Sequence, residues 1–90
     1  MAEVRDHPKE SRYELPTEAG PAIAVYRRVG EVMIFTHTLV PPSLEGHGIG
    51  SKLVAGALAD VRARGLTIRP DCPLVAAYLQ RHPEERDLLA

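Results

Sequence analysis

Residues 31–40 carry strand-forming side chains on both faces, and two prolines then stop the run. Read with a period of two, Met33, Phe35, His37 and Leu39 share one face, and Val32, Ile34, Thr36, Thr38 and Val40 share the other. A strand apolar on both sides is out of place at a wet edge, so the pattern predicts a central strand covered on both faces. Pro41 and Pro42 lack the N–H that a ladder needs, so the sheet must release the chain there. Such a chain is built as layers around one sheet.

The flanking segments fill in those layers. Residues 11–15 alternate polar and apolar up to Pro16, and residues 22–28 form a further β-rich run that Val29-Gly30 joins to the central strand as a hairpin. After the prolines the period changes. Gly50, Leu53, Val54, Ala57, Leu58 and Val61 form a helical stripe, and Gly65 stands where a C-terminal cap belongs. A short strand over residues 66–69 ends at Pro70, and Pro73 opens a second helix that Pro83 closes. The expected order is β-β-β-α-β-α, an α+β fold of mixed α/β layers. It forms one domain over residues 11–90, preceded by a flexible segment, residues 1–10, rich in charge and carrying Pro8.

Composition narrows the function classes. The 90 residues hold 11 Lys plus Arg against 12 Asp plus Glu, a net charge of −1, so bulk charge gives no support to a nucleic-acid partner. No apolar run reaches the roughly 18–20 residues of a membrane span, and no basic start leads into an apolar stretch. Neither a membrane partner nor a secretory signal is expected. The lone Cys72 makes no internal disulfide and no multi-cysteine metal site, which fits a cytoplasmic chain with no metal. An apolar fraction of 44% suits a monomer or a weak homodimer.

The chemistry concentrates in Leu44-Glu45-Gly46-His47-Gly48-Ile49-Gly50-Ser51, between a strand and a helix. Glycines let a backbone approach a ligand, and a helix start offers free N–H groups and the positive end of the dipole. Together they suit a phosphate or pyrophosphate. A dinucleotide fingerprint needs glycine where Ser51 stands, and a Walker loop needs Gly-Lys-Ser/Thr where this chain has Gly50-Ser51-Lys52. Both nucleotide loops fail on residues.

The stretch Glu45-Gly46-His47-Gly48-Ile49-Gly50 resembles the acyl-CoA loop of the GNAT acetyltransferase superfamily, Gln/Arg-x-x-Gly-x-Gly/Ala, with Glu45 in the first position. A YjdJ-type subgroup of small single-domain GNAT-like proteins is closer still. It shares His37-Thr38, Val40-Pro41, Leu44-Glu45-Gly46, Gly48-Ile49, Pro70-x-Cys72-Pro73, Ala76-Ala77-Tyr78 and Arg81-His82-Pro83. Where many relatives carry Glu between the Thr and the Val, this chain has Leu39. The resemblance implies a minimal GNAT fold and an N-acetyltransferase that uses acetyl-CoA, with an amine as acceptor. It implies that backbone amides of His47, Gly48, Ile49, Gly50 and Ser51 hold the pyrophosphate, with Lys52 adding charge. Leu39 and Val40 would offer backbone groups to the pantetheine arm, and Arg81 and His82 would flank the adenosine end.

Acetyl transfer needs a neutral nucleophile, a polarised carbonyl and a proton for the departing thiolate. His37 is a candidate base, with a packed histidine beside Met33 and Phe35 as the alternative. Tyr78 is placed by the resemblance near the leaving sulfur, with a core aromatic as the alternative. Cys72 precedes a proline at a helix start, where the dipole favours a thiolate that can accept the acetyl group itself; a buried residue lining the slot is the other reading. A CoA-binding module with little transferase activity remains the alternative to the enzyme.

Overall fold

A computed structural model describes residues 3–90. Strands β1 (Arg5–His7), β2 (Arg12–Leu15), β3 (Ala22–Val29), β4 (Val32–Leu39) and β5 (Thr67–Pro70) lie side by side in sequence order in one sheet. The first four pair antiparallel, and β5 joins β4 in parallel after a crossover through helix α1 (Ile49–Ala63). Helix α2 (Pro73–Arg81) follows β5, and a 3-10 turn over Pro83–Leu88 ends the chain against the sheet. This is the expected mixed α+β layer structure, with one strand more than the sequence implied.

The core lies between one face of the sheet and the two helices. Tyr13, Leu15, Ala24, Tyr26, Met33, Phe35 and Ile68 meet Leu53, Val54, Ala57, Leu58 and Val61 of α1 and Val75, Tyr78 and Leu79 of α2. The helical stripe is therefore the buried face of α1. Complete burial of a leucine such as Leu53 or Leu58 contributes about 1.5–3 kcal/mol. The helix stops in a Schellman turn: Gly65 takes φ +69°, its N–H donates to the Arg62 carbonyl, and the Leu66 N–H donates to that of Val61.

Two expectations need correction. The central strand is interior, but the helices cover only one face. On the other face Ile34 is buried outside the main core, flanked in register by Arg27 and Arg69. Further along that face Leu39 is 60% exposed.

The second correction concerns residues 1–10. Residues 1–2 lie outside the described part, but residues 5–10 form β1 and a 3-10 turn (Pro8–Glu10). Their polar side chains are put to use. The buried Asp6 carboxylate accepts the Tyr26 hydroxyl at 2.6 Å and pairs with Arg64 at 3.0 Å. On the neighbouring strand Tyr13 donates to Asp60 at 2.7 Å, and burial followed by this bond raises the Tyr13 hydroxyl's pKa. Ahead of β1, Val4 packs against the core at Gly56, where a Cβ would stand 2.4 Å from Val4 Cγ2. The Asp6 charge thus ties the segment to β3 and to Arg64, the residue that caps α1.

Candidate functional site

A β-bulge sets the geometry of the site. Tyr26 pairs with Phe35 but Val25 pairs with His37, so Thr36 is an extra residue in β4. Its hydroxyl donates to the Val25 carbonyl at 3.4 Å. Every residue beyond Thr36 consequently changes face. His37 and Leu39 turn to the helix-free face, where both are exposed, while Thr38 and Val40 turn towards the helices. His37 therefore does not share a face with Met33 and Phe35, and neither packs in the core nor lines the cleft described next.

That cleft opens where the sheet divides. β5 reaches its last pair at Pro70, opposite Phe35, while β4 runs on to Leu39. The Cys72 N–H closes onto the Phe35 carbonyl at 2.9 Å, and α2 begins in the space that β5 vacates. Between the end of β4, the glycine loop and the start of α2 is a cleft of about 240 Å³. It is lined by Thr38, Val40, Leu44, Glu45, Gly46, Gly48, Ile49, Gly50 and Leu74. Sites that enclose a drug-sized ligand measure roughly 300–1,000 Å³, so this cleft has room for only part of a long ligand.

The glycine loop is built for close approach. Gly46 and Gly48 take φ of +82° and +76°, and nothing stands within 4 Å of a Cβ placed on either. Gly48 is the N-terminal cap of α1, and the first helical bond of the turn runs from the Lys52 N–H to the Gly48 carbonyl at 3.0 Å. The amides of Ile49, Gly50 and Ser51 therefore precede the helical ladder, an arrangement that fits an anionic group such as a pyrophosphate. The His47 amide is different: it donates to the Leu44 carbonyl at 3.2 Å and closes the loop. At Gly50 a Cβ would meet Leu74 Cδ1 at 3.1 Å and Val40 Cγ2 at 3.7 Å, so its bare backbone forms part of the cleft wall.

The remaining expected residues separate. Cys72 is 3% exposed and lies behind the cleft wall, its Sγ 3.4 Å from the Thr38 hydroxyl. Tyr78 is buried and its ring stacks on His82 at a centroid distance of 4.1 Å. Burial raises its pKa, with Glu85 and Glu84 adding to the shift, so the phenol keeps its proton. Arg81 donates to the Ser51 hydroxyl at 3.3 Å and ties the end of α2 to the start of α1. His47 and Lys52 are exposed and do not line the cleft. Thr38, Leu44 and Leu74 also line it, although the sequence reading gives none of the three a binding or catalytic role. Leu44 and Leu74 follow from their places beside the loop and at the start of α2, but Thr38 depends on the bulge.

Comparison with known proteins agrees with this construction. No curated protein matches the chain by sequence. Among solved structures, a GCN5-like protein from Staphylococcus aureus, provisionally assigned as an N-acetyltransferase, superposes with a TM-score of 0.74 at 24% identity. The match covers 98% of this chain and 87% of that one, and it shows the same fold. The family of GCN5-related N-acetyltransferases matches over residues 12–88, from β2 to the last turn. With a strand that outruns its parallel neighbour, a glycine loop at the gap and a helix rising from it, this chain belongs to the GCN5-related N-acetyltransferase family.

Proposed function

We propose that the cleft binds acetyl-CoA and that the domain transfers its acetyl group to an amine by way of Cys72. The carrying observation is the paired left-handed glycines at the start of α1, with the free amides of Ile49, Gly50 and Ser51 beside them. In this reading those amides hold the pyrophosphate, while the backbone of Leu39 and Val40 and the apolar wall of Val40 and Leu74 receive the pantetheine arm. Arg81 and His82 flank the adenosine end, and Glu45 marks the rim. Acetyl-CoA supplies the activated acyl group. The chain supplies the seat, a dry wall and the sulfur of Cys72, which adjoins the cleft through Thr38.

One observation favours a second reading. His37 faces away from the cleft and Tyr78 is stacked within the helical layer, so among the described residues no side-chain base lines the cleft apart from Glu45 at its rim. A CoA-binding module with little transfer would need none. The acceptor amine reaches a site open to solvent, on a domain that works as a monomer or a weak dimer. No helix among the described residues is long and apolar enough to cross a membrane. Calorimetry with CoA, together with intact mass spectrometry after incubation with acetyl-CoA and a panel of amines, decides between the readings. Binding with acetyl transfer supports the enzyme, binding without transfer to any amine supports the module, and absence of binding refutes both.

A further inference from the structure

Thr38 is the one hydroxyl among the described residues that line the cleft, and it also touches the buried thiol. Its Oγ1 lies 3.4 Å from Cys72 Sγ, which is otherwise enclosed by the core. Both partners are held. The Cys72 N–H donates to Phe35, and its carbonyl accepts the Ala76 N–H at 3.0 Å, so the cysteine is fixed at both ends of its backbone. Thr38 is fixed by the bulge, since without the extra residue Thr36 its side chain would point to the helix-free face. A threonine is also stiff at χ1, so its hydroxyl keeps its direction. A hydroxyl has one proton to give and two lone pairs to receive, so it can face two partners at once.

We propose that Thr38 is the proton shuttle of the acetyl transfer, joining the sulfur of Cys72 to the sulfur of the thioester. The inference rests on the reading of Cys72 as acyl carrier and adds the group that moves the proton. In the first half, a bond forms between Cys72 Sγ and the acetyl carbon, and the bond from that carbon to the CoA sulfur breaks. The thiol proton passes to Thr38 Oγ1 while Thr38 gives its own to the departing sulfur, so CoA leaves as a neutral thiol. In the second half, the acceptor nitrogen bonds to the acetyl carbon, the carbon–Sγ bond breaks, and a proton from the nitrogen returns to Sγ through the same hydroxyl. Atoms and charge balance without any other reactant. The hydroxyl also spares a buried sulfur from carrying an unpartnered charge.

The test compares wild type with Thr38→Val and Thr38→Ser. Calorimetry with CoA first establishes that all three fold and bind. Intact mass spectrometry then follows acetyl gain on Cys72 from acetyl-CoA, and iodoacetamide alkylation of Cys72 is followed across pH. Proton transfer by a placed side chain contributes roughly 10²–10⁴-fold, so Thr38→Val should acetylate at least a hundredfold more slowly while Thr38→Ser stays within a few-fold of wild type. The alkylation profile of Thr38→Val should move to higher pH, and Thr38→Ser should restore it. Wild-type rates in Thr38→Val overturn the shuttle. A Thr38→Ser as slow as Thr38→Val also overturns it, because the γ-methyl packing would then be what matters. If CoA fails to bind any of the three, the reading of the cleft fails separately, and the alkylation profiles still judge the contact. If Cys72→Ala transfers acetyl at full rate, the shuttle falls with the carrier.

Discussion

Gly48 and Gly50 lie two residues apart on one loop, yet alanine at each should do different damage. Gly48 takes φ +76° and ψ 9°, and a Cβ there meets nothing within 4 Å. Its substitution therefore acts through backbone strain, about 1–2 kcal/mol for a non-glycine residue in the left-handed region. That strain has two outlets. If the loop holds its shape, Gly48→Ala loses the whole amount in stability. If the loop escapes to another conformation, stability is spared but the competent fraction falls, and CoA affinity drops by about 5- to 30-fold. Gly50 has ordinary helical φ, so alanine gains roughly 0.5–1 kcal/mol of helix propensity. The cost is a methyl against Leu74 Cδ1 at 3.1 Å, and the tip of a leucine can yield. Gly50→Ala should thus be near neutral in stability while its methyl narrows the cleft between Leu74 and Val40, weakening CoA binding several-fold or more. Urea denaturation and CoA titration calorimetry on both variants read the two quantities separately. A Gly48→Ala protein with wild-type stability and wild-type affinity would refute the strain argument and the assignment of this loop together.

Two further predictions concern the frame of the domain. At Gly56 a new Cβ would lie 2.5 Å from Val4 Cβ as well as 2.4 Å from Val4 Cγ2, so Gly56→Ala should destabilise by about 1–3 kcal/mol despite its better helix propensity. Adding Val4→Ala should not rescue it, because the Val4 Cβ remains, whereas adding Val4→Gly should; urea midpoints of the four proteins decide this, and a stabilised Gly56→Ala would mean that Val4 does not dock there. Arg62 meets Asp87 at 2.7 Å and Glu85 at 2.8 Å on the surface, and its hydrogen bonds hold the Asp87 carboxyl below its ordinary value. A folded-state value below the unfolded one, about 3.9, adds stability above that pH and loses it as the pH falls through the lowered value. Wild type and Arg62→Ala should therefore differ near pH 6 and converge in stability as the pH is taken down towards 2, as denaturation across that range would report; a constant gap would refute the pairing.

Where local chemistry decides a feature, the sequence was enough to read it. The stripe from Gly50 to Val61 gave the buried face of α1, Gly65 its end, Pro70 the end of β5 and Pro73 the start of α2. The glycine loop declared itself because left-handed backbone at Gly46 and Gly48 favours one residue type. The docking of β1 was not legible. It depends on a tyrosine 20 residues away from Asp6, an arginine on another element and a gap at Gly56, none of which periodicity can detect.

Counting by two assigns the faces of β4 wrongly from a single point onward. Alternation holds through Phe35, and the residues beyond Thr36 then stand on the opposite side from the one that counting by two assigns. Thr36 gave no warning, because the extra residue is neither glycine nor proline and a threonine is at home in any strand. Its hydroxyl meets the Val25 carbonyl beside the irregular pairing, which lets an ordinary strand residue occupy the bulge. The shift moves His37 and Leu39 out of the helical layer and brings Thr38 in beside Cys72. A strand without the bulge would keep the glycine loop and present His37, not Thr38, on the helical side of the gap. In this chain, then, the glycine loop that would hold the pyrophosphate follows from local backbone demands, while Thr38 and Val40 reach the cleft through one inserted threonine.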